Sequence, residues 1–536
     1  MQHLEKWHSF YGSTNAAGQL ALSNVEAARP MNHLNSCTIP SRVDYRTMIK
    51  ELLTSLLMVL ALNGHGFAAN PERRLNVVLI LADDLGWTDL ACYGSDLHET
   101  PHLDQLARQG MRFTQNYSAC TVCSPTRAAL LTGKYPARLH ITDWIPGAMP
   151  DNPKLLVPQW TKFLPHEETS LAELFRDAGY STASIGKWHL GGEDHYPQHH
   201  GFDRNIAGTD KPQPPSFLAP WKIPTLTEGR DGDYLTDRLG EEAVTYLESS
   251  QDRPFFLYVP HFAVHTPIQG RPDLVDKYER KLRLGQALRH KNAHYAAMVE
   301  SLDAAVGKVM TALDELKLAD RTIVIFTSDN GGRITQGTTS NAPLRYGKAS
   351  AYEGGVRVPL IVRWPGVVRP ASECHLPVIT MDLFPTLVEA CGLTIPHDSP
   401  SSTGAAGRDG VSLLPVLRQD GTLARSEIFW HYPHHQHYQL GGATPYAAMR
   451  EGDFKLIEFF NDRHVELYDL RSDLGEQQNL APSQSQRTDQ MLRRLHAWQA
   501  EVGAQMPTPN PRHDAARPEY TPPPARSKEK GGKKAE

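Results

Sequence analysis

Five short apolar runs punctuate the chain, at Leu75 to Ala82 (LNVVLILA), Thr182 to Ile185, Phe255 to Val259, Thr322 to Thr327 and Leu360 to Val362. The first is almost unbroken, a pattern that predicts a strand covered on both faces. Helical periodicity lies between the runs. Ser170 and Glu173 form a capping box for SLAELFRDAGY, Gly179 is placed to end that helix, and a second periodic segment extends from about Ala296 to Leu318. Strands alternating with helices predict an α/β domain built on a largely parallel sheet, spanning residues 70–420. Beyond Ile395 the pattern loosens into PHDSPSSTGAAGRDG, read as a long loop or domain boundary. AAMREGDFKLIEF and HVELYDLRSD then alternate as hairpin strands do, and a helix over about Thr488 to Val502 packs on this smaller unit, residues 421–505. From Met506 to Glu536 the chain is Pro-rich and then Lys-rich, the composition of a disordered tail.

The start of the chain changes the picture of where the protein works. Lys50 precedes an apolar run from Leu52 to Leu62 that ends in small residues near Gly66 to Ala69, the layout of a signal peptide over 48–69. The run is too short for stable membrane insertion. Its alternative is a buried core helix. Residues 1–47 are read as a disordered upstream extension, with Met48 as the true start. Net charge is -5, so no basic field attracts nucleic acid, which is set aside as a partner. Six cysteines are too few for a disulfide scaffold at 536 residues.

In open α/β sheets ligands gather at the carboxyl ends of strands. Asp83 and Asp84 follow the first run, and Asp329 and Asn330 follow the fourth. Four oxygen-bearing side chains from two strand ends suit Ca²⁺ and, less well, Mg²⁺. Taken singly, such residues are also common loop starters and helix caps. In CSPTRAALLTG, Pro125 is a first-turn residue, which puts Cys123 or Ser124 at the cap, and Arg127 lies one turn on. A nucleophile, a cation and a helix N-terminus together can bind an oxyanion. A buried structural cysteine, or a CxxC pair with Cys120, would explain the same residues.

CSPTR followed by LLTG matches the C-x-P-x-R signature of the type I, formylglycine-dependent sulfatases, and GYSTASIGKWHLG (Gly179 to Gly191) matches the second signature. ADDLG, PFFLYVPHFAVHTP, FTSDNGG, GKASAYEGGVRVP and ELYDL continue the match in order from about Leu75 to Ala481. The chain resembles that family, and in particular the group of bacterial polysaccharide sulfatases, arylsulfatase A and N-acetylgalactosamine sulfatases. The resemblance implies an alkaline-phosphatase-like α/β fold, a large mostly parallel sheet flanked by helices, with a smaller C-terminal α+β subdomain of antiparallel sheet and helix. It implies that Cys123 is oxidised to formylglycine by a formylglycine-generating or anaerobic sulfatase-maturating enzyme. One hydroxyl of the hydrated aldehyde would attack sulfur, and the other would expel sulfate by re-forming the aldehyde.

The metal ligands so implied are Asp83, Asp84, Asp329 and Asn330, with the group at Cys123 touching the ion and Asp329 also accepting the nucleophile's proton. Lys187 would bind sulfate and His189 would help break down the covalent intermediate; two apart, they face the same side of an extended segment. His265 with Lys348 would protonate the departing alcohol, with His261 as the competitor for the histidine. Arg127, Lys187 and Lys348 would surround a single negative charge.

TDWIPG, HGFD and DYLTDRL point to the polysaccharide-acting branch, hence to a sulfated carbohydrate such as a glycosaminoglycan or algal-type fragment as substrate. A single N-x-S/T sequon, at Asn116, fits a bacterial exported enzyme, periplasmic or secreted, rather than a lysosomal one. HYPQHH (His195 to His200) and HYPHHQH (His431 to His437) could bind zinc or copper, but are read as lining the cleft mouth. Asp143, Trp144 and Arg450 are further candidates for substrate selection. The rival readings are a phosphonate or phosphate ester hydrolase of the same fold, and a non-catalytic protein that binds sulfated glycans.

Overall fold

All seven residues of the first strand, β1 (Asn76–Ala82), are buried, because the sheet it centres is covered on both sides. A computed structural model describes residues 74–395, 408–436 and 443–519. The upstream extension, the signal peptide, most of the PHDSPSSTGAAGRDG stretch, His437 and residues 520–536 lie outside the described residues.

The main sheet continues with β2 (Met111–Phe113), β3 (Ser181–Ile185), β4 (Arg204–Ile206), β5 (Phe255–Pro260), β6 (Thr322–Ser328), β7 (Leu360–Arg363) and β8 (Ser372–Cys374). Their order is β8-β2-β7-β6-β1-β5-β3-β4. Every neighbouring pair is parallel except the two that involve β7. The five apolar runs of the sequence are β1, β3, β5, β6 and β7.

Alternate side chains of β1 serve two cores, as the period of two requires. Val78 and Ile80 pack with Leu103 of α1 (Pro101–Gln109). Leu130 and Leu131 of α2 (Cys123–Thr132) lie on the opposite face with Val77, Leu79 and Leu81, joined by Leu171 and Phe175 of α3 (Leu171–Asp177). The first face is completed by Leu235 and Leu239 of α4 (Leu235–Ser249) and Met298 and Leu302 of α5 (Ala293–Glu315). The result is a helix-sheet-helix sandwich, the alkaline-phosphatase-like arrangement.

The capping box at α3 is complete: the Glu173 amide donates to Ser170 Oγ at 3.1 Å and the Ser170 amide to Glu173 Oε2 at 2.7 Å. At α2 the cap differs from expectation. Val122 is the cap, with extended backbone, and Cys123 is already the first helical residue. Helix α5 begins three residues before the predicted Ala296 because Asn292 caps it, accepting from the Tyr295 amide at 3.1 Å.

A second, antiparallel sheet runs β9 (Glu427–Tyr432), β10 (Tyr446–Glu451), β11 (Phe454–Phe459) and β12 (Val465–Asp469), covered by α6 (Ser485–Glu501). Its core takes in Met449, Leu456, Met491, Leu495 and Trp498 together with Val122, Ala129 and Tyr135 from the first part of the chain. Helix α2 is therefore held between two cores, and all of its residues are buried. No gap marks the boundary drawn near residue 420.

The expectation of a disordered tail from Met506 needs correcting as far as Glu519. Thr508–Pro509 pairs antiparallel with Leu155–Leu156. Asn152 Nδ2 donates to the Asp514 and Arg517 carbonyls at 2.9 and 3.0 Å. Prolines lack donors but keep their carbonyls, so a Pro-rich segment can still be held by a neighbour that supplies N–H groups. Asn116 is buried, its amide donating to Thr327 Oγ1 at 3.2 Å, so the sequon is inaccessible in the fold. Among the described residues no helix is long and apolar enough to cross a membrane.

Candidate active site

The predicted residues converge from the carboxyl ends of four adjacent parallel strands. Asp83 and Asp84 follow β1, Asp329 and Asn330 follow β6, the Lys187–His189 segment follows β3, and His265 follows β5. Because Ala82 and Ser328 are in register, the Asp83–Asp84 and Asp329–Asn330 pairs emerge side by side. Helix α2 points its N-terminus at them.

Each cation is paired. Lys187 Nζ lies 2.6 Å from Asp83 Oδ2, and Lys348 Nζ lies 2.6 Å from Asp84 Oδ1. Arg127 donates from Nε and Nη2 to Asp329 Oδ2 at 3.0 and 2.8 Å, and from Nη1 to the Lys187 carbonyl at 2.8 Å. Asp329 Oδ1 accepts the Asp84 amide at 3.2 Å. Arg127 thus fixes the acidic pair and the lysine segment at once.

Three buried oxygens in this cluster have no hydrogen-bond partner: Asp83 Oδ1, Asp84 Oδ2 and Asn330 Oδ1. Orphaned buried acceptors are costly unless something cationic meets them. The ligand atoms of Asp83, Asp84 and His265 lie within 4.8 Å of one another. His265 Nδ1 must donate to the Thr266 carbonyl at 3.1 Å, which turns the lone pair of Nε2 toward Asp84 Oδ2 at 3.6 Å. Two acceptors facing one space suit a metal cation. Oxygen donors dominate the set, which suits a hard divalent ion.

Cys123 Sγ stands 3.4 Å from His189 Nδ1. The other ring nitrogen, Nε2, donates to the Ile145 carbonyl, so Nδ1 faces Cys123 as an acceptor. Lys187 and His189 do not share a face of an extended strand. His189 has φ of +60°, and its amide is held by the Thr209 carbonyl at 2.9 Å. Asp84 is also left-handed, with φ of +61°. Such backbone costs about 1–3 kcal/mol per residue and persists where surroundings enforce it. Gly186 makes the turn into the segment possible: at φ of +131°, a Cβ there would lie 2.0 Å from the Pro260 carbonyl oxygen.

Burial shapes the protonation states. It raises the Cys123 thiol pKa, with Lys187 and Lys348 pulling the other way. Burial, then Lys187, hold His189 well below the usual imidazole range, and burial with Lys348 lowers His265 to about 3. Burial and the Asp83 carboxylate push Asp329 up to about 6 against the pull of Arg127. Burial acts upward on Asp84 too, but Lys348 and His265 outweigh it and hold that carboxyl well below the usual range.

His261 is buried with Nδ1 unpartnered, and burial lowers it to about 4. The structure brings His265, not His261, into the cluster. Arg450 is also buried, bonded to Tyr117 Oη, Gln115 Oε1 and the Gly452 carbonyl, bonds that brace the C-terminal sheet. Asp143 Oδ1 accepts from Tyr432 Oη at 2.6 Å and Gln436 Nε2 at 3.1 Å, and burial raises its pKa to about 7. It anchors a loop. Trp144, beside it, lines a cavity of about 530 Å³ with Thr209, Lys211, Gln213, Lys222 and Phe262. Gln213 accepts from Thr266 Oγ1 at 2.8 Å, next to His265.

Two supporting residues carried no sequence signal. Tyr295 Oη contacts Asp89 Oδ2 at 2.6 Å and the Asp84 carbonyl at 3.2 Å, and Asp89 Oδ2 also accepts the Gly86 amide at 2.7 Å. Asp89 and Tyr295 brace the acidic loop from behind. Only tertiary contact joins them, 206 positions apart.

A doubly covered α/β sheet, a buried nucleophile at a helix N-terminus, and paired acids and bases around a cation-ready pocket define an ester hydrolase of the alkaline-phosphatase-like class. The sulfatase family matches residues 75–393, and the C-terminal region of N-sulphoglucosamine sulphohydrolase matches residues 345–502. A sulfatase of Formosa agariphila is 34% identical over 528 residues, covering 84% of this chain and 93% of that protein. Human arylsulfatase A is 33% identical, covering 83% and 90%. The crystal structure of Ps i-CgsB in complex with k-i-k-neocarrahexaose superposes with a TM-score of 0.67 at 27% identity, covering 83% of this chain and 96% of that one. The chain belongs to the sulfatase family and is a sulfuric ester hydrolase.

Proposed function

We propose that the enzyme removes sulfate from a sulfated carbohydrate, a glycosaminoglycan or algal-type polysaccharide fragment, using formylglycine made from Cys123 and a Ca²⁺ ion. The observation that carries this reading is the meeting of Cys123 with His189, three cations and three orphaned oxygens in one buried cluster. Asp83, Asp84 and Asn330 would hold the ion through those oxygens, with Asp329 closing the set. Ca²⁺ would supply two positive charges to a pocket whose three carboxylates otherwise balance Arg127, Lys187 and Lys348, leaving it cationic toward a sulfate monoanion. Formylglycine would supply a hydroxyl nucleophile that can regenerate itself.

The chain's own residues do the rest. Lys187 and Lys348 bind sulfate oxygens. His189 Nδ1, an acceptor facing position 123, takes the proton from the group there. Lys348, facing Asp84, is the cation placed to protonate the departing alcohol, and His265, whose ring proton is held on Nδ1 by the Thr266 carbonyl, would share that role by first taking up a proton at Nε2. The cavity beside them has the size of a small-ligand site, with Trp144 to meet a sugar face and Lys211 and Lys222 to meet a further anionic substituent. A formylglycine-generating or anaerobic sulfatase-maturating enzyme is the implied partner, and the cell envelope or exterior of a bacterium the implied place. The test is sulfate release from a panel of defined sulfated mono- and disaccharides by protein co-produced with a maturating enzyme. Faster turnover of an aryl phosphate than of the matching aryl sulfate, or glycan binding without sulfate release, would overturn the reading.

A further inference from the structure

The HYPQHH run is not absorbed by the catalytic site, and none of its residues lines the adjoining cavity. It folds as two short turns, Glu193–His195 and Pro197–His200, that bring His195 and His200 against His166 from the loop before α3. We propose that His166, His195 and His200 form a structural binding site for one transition-metal ion of the zinc class.

The ligand atoms of the three imidazoles lie within 4.8 Å of one another. Ring centroids are 4.5 Å apart for His166 and His195, 5.2 Å for His166 and His200, and 6.2 Å for His195 and His200. Three imidazoles on a tetrahedral ion at about 2.0–2.1 Å put their centroids about 5 Å apart, so the backbone already has the required spacing. The rings are stacked within 15–18° of parallel, so their in-plane lone pairs do not yet converge and binding an ion requires the rings to turn. His166 is exposed and has room to turn.

Two further observations point to a ligand. His200 is 0% exposed, yet neither of its ring nitrogens has a hydrogen-bond partner. Leaving such a group unpaired costs about 1–3 kcal/mol. His195 Nδ1 donates to the Leu164 carbonyl at 3.0 Å, which fixes the tautomer with the Nε2 lone pair outward, as metal-bound histidines are commonly oriented. Burial first, and then His166 and His195, lower His200 to about 3, so the ring is neutral at pH 7 and one nitrogen keeps its lone pair available. An all-nitrogen set selects zinc, copper or nickel over Ca²⁺ and Mg²⁺.

The ion would fasten the second signature from behind. Trp188 Nε1, between Lys187 and His189, donates to the His195 carbonyl at 2.7 Å, and Ser170 Oγ, the α3 cap, donates to the His200 carbonyl at 2.7 Å. One clamp would therefore tie three loops together. The experiment titrates Zn²⁺ into tag-free, full-length, chelator-treated protein saturated with Ca²⁺, in competition with a chromophoric chelator. One equivalent should bind and raise the melting temperature. Losing even an outer-shell partner weakens metal binding by about 10–100-fold, so His166→Ala, which removes an exposed ligand, should weaken it by at least about a hundredfold and abolish the thermal shift. Absence of that equivalent in the wild type, or affinity in His166→Ala and His195→Gln equal to that of the wild type, overturns the proposal.

Discussion

Arg127 makes three hydrogen bonds to two partners with one planar group, and a lysine cannot copy them. Its Nε and Nη2 hold Asp329 while Nη1 holds the Lys187 carbonyl. An ammonium is a point donor, so Arg127→Lys leaves at least one buried acceptor unmet. We expect kcat/KM on an aryl sulfate to fall by about 10²–10³-fold, the cost typical of losing one preorganised donor, with a lower denaturation midpoint. Unchanged steady-state kinetics would show that Arg127 does not organise the pocket. Tyr295→Phe tests the support behind Asp84. Its single hydroxyl hydrogen, shared between Asp89 Oδ2 and the Asp84 carbonyl, is lost, leaving one buried acceptor short of a donor at about 1–3 kcal/mol, which urea unfolding would register. At this scale the legible part was the set of side chains at strand ends and in signatures. Asp89, Tyr295 and the Ile145 carbonyl were not legible. The first two acquire meaning only from each other across the fold, and a carbonyl has no letter of its own.

Among the elements, strands covered on both faces were the easiest to read, since β1, β5, β6 and β7 carry nearly continuous apolar runs, while β3 (STASI), though fully buried, is the weakest of the five. Strand β9 was missed. In EIFWHY every residue after Glu427 is buried, so no alternation survives, and the histidine-rich stretch beyond it drew a chemical reading instead. The α2 cap was misplaced by one or two residues because no side chain performs it; extended backbone at Val122 is enough. Helix α3 shows the opposite case, a cap written fully in the letters. Ser170→Ala should cost about 1 kcal/mol from the cap alone. The same Oγ donates to the His200 carbonyl, so the loss should reach the upper part of the range, about 2 kcal/mol, with the denaturant m-value unchanged. A loss no larger than that of Glu173→Ala would show that the hydroxyl serves the cap only.

At the scale of the whole molecule, the C-terminal sheet, α6 and the tail are held together partly by groups that must stay neutral. His431 on β9 donates from Nε2 to the Gln505 carbonyl at 2.9 Å and accepts from Gln499 Nε2 at Nδ1, at 3.2 Å. Both bonds require one tautomer of the uncharged ring. Burial lowers its pKa to about 4, against about 6.5 for an unfolded chain. The unfolded state therefore binds more protons between those values, and stability rises with pH across that window. The contribution is fully present above about pH 6.5 and is lost as pH falls through about 4. In His431→Gln the amide can still donate to Gln505 but cannot titrate. Urea unfolding from pH 7 to 4 should show a shallower loss of stability in the variant than in the wild type, by up to a few kcal/mol at the acid end. Parallel curves would mean that protonation at His431 leaves the junction intact. The packing that makes this junction sensitive was not legible in the sequence, where residues 506–519 read as tail. A segment without apolar periodicity can still be fixed when donors elsewhere, here Asn152, are placed to receive its carbonyls.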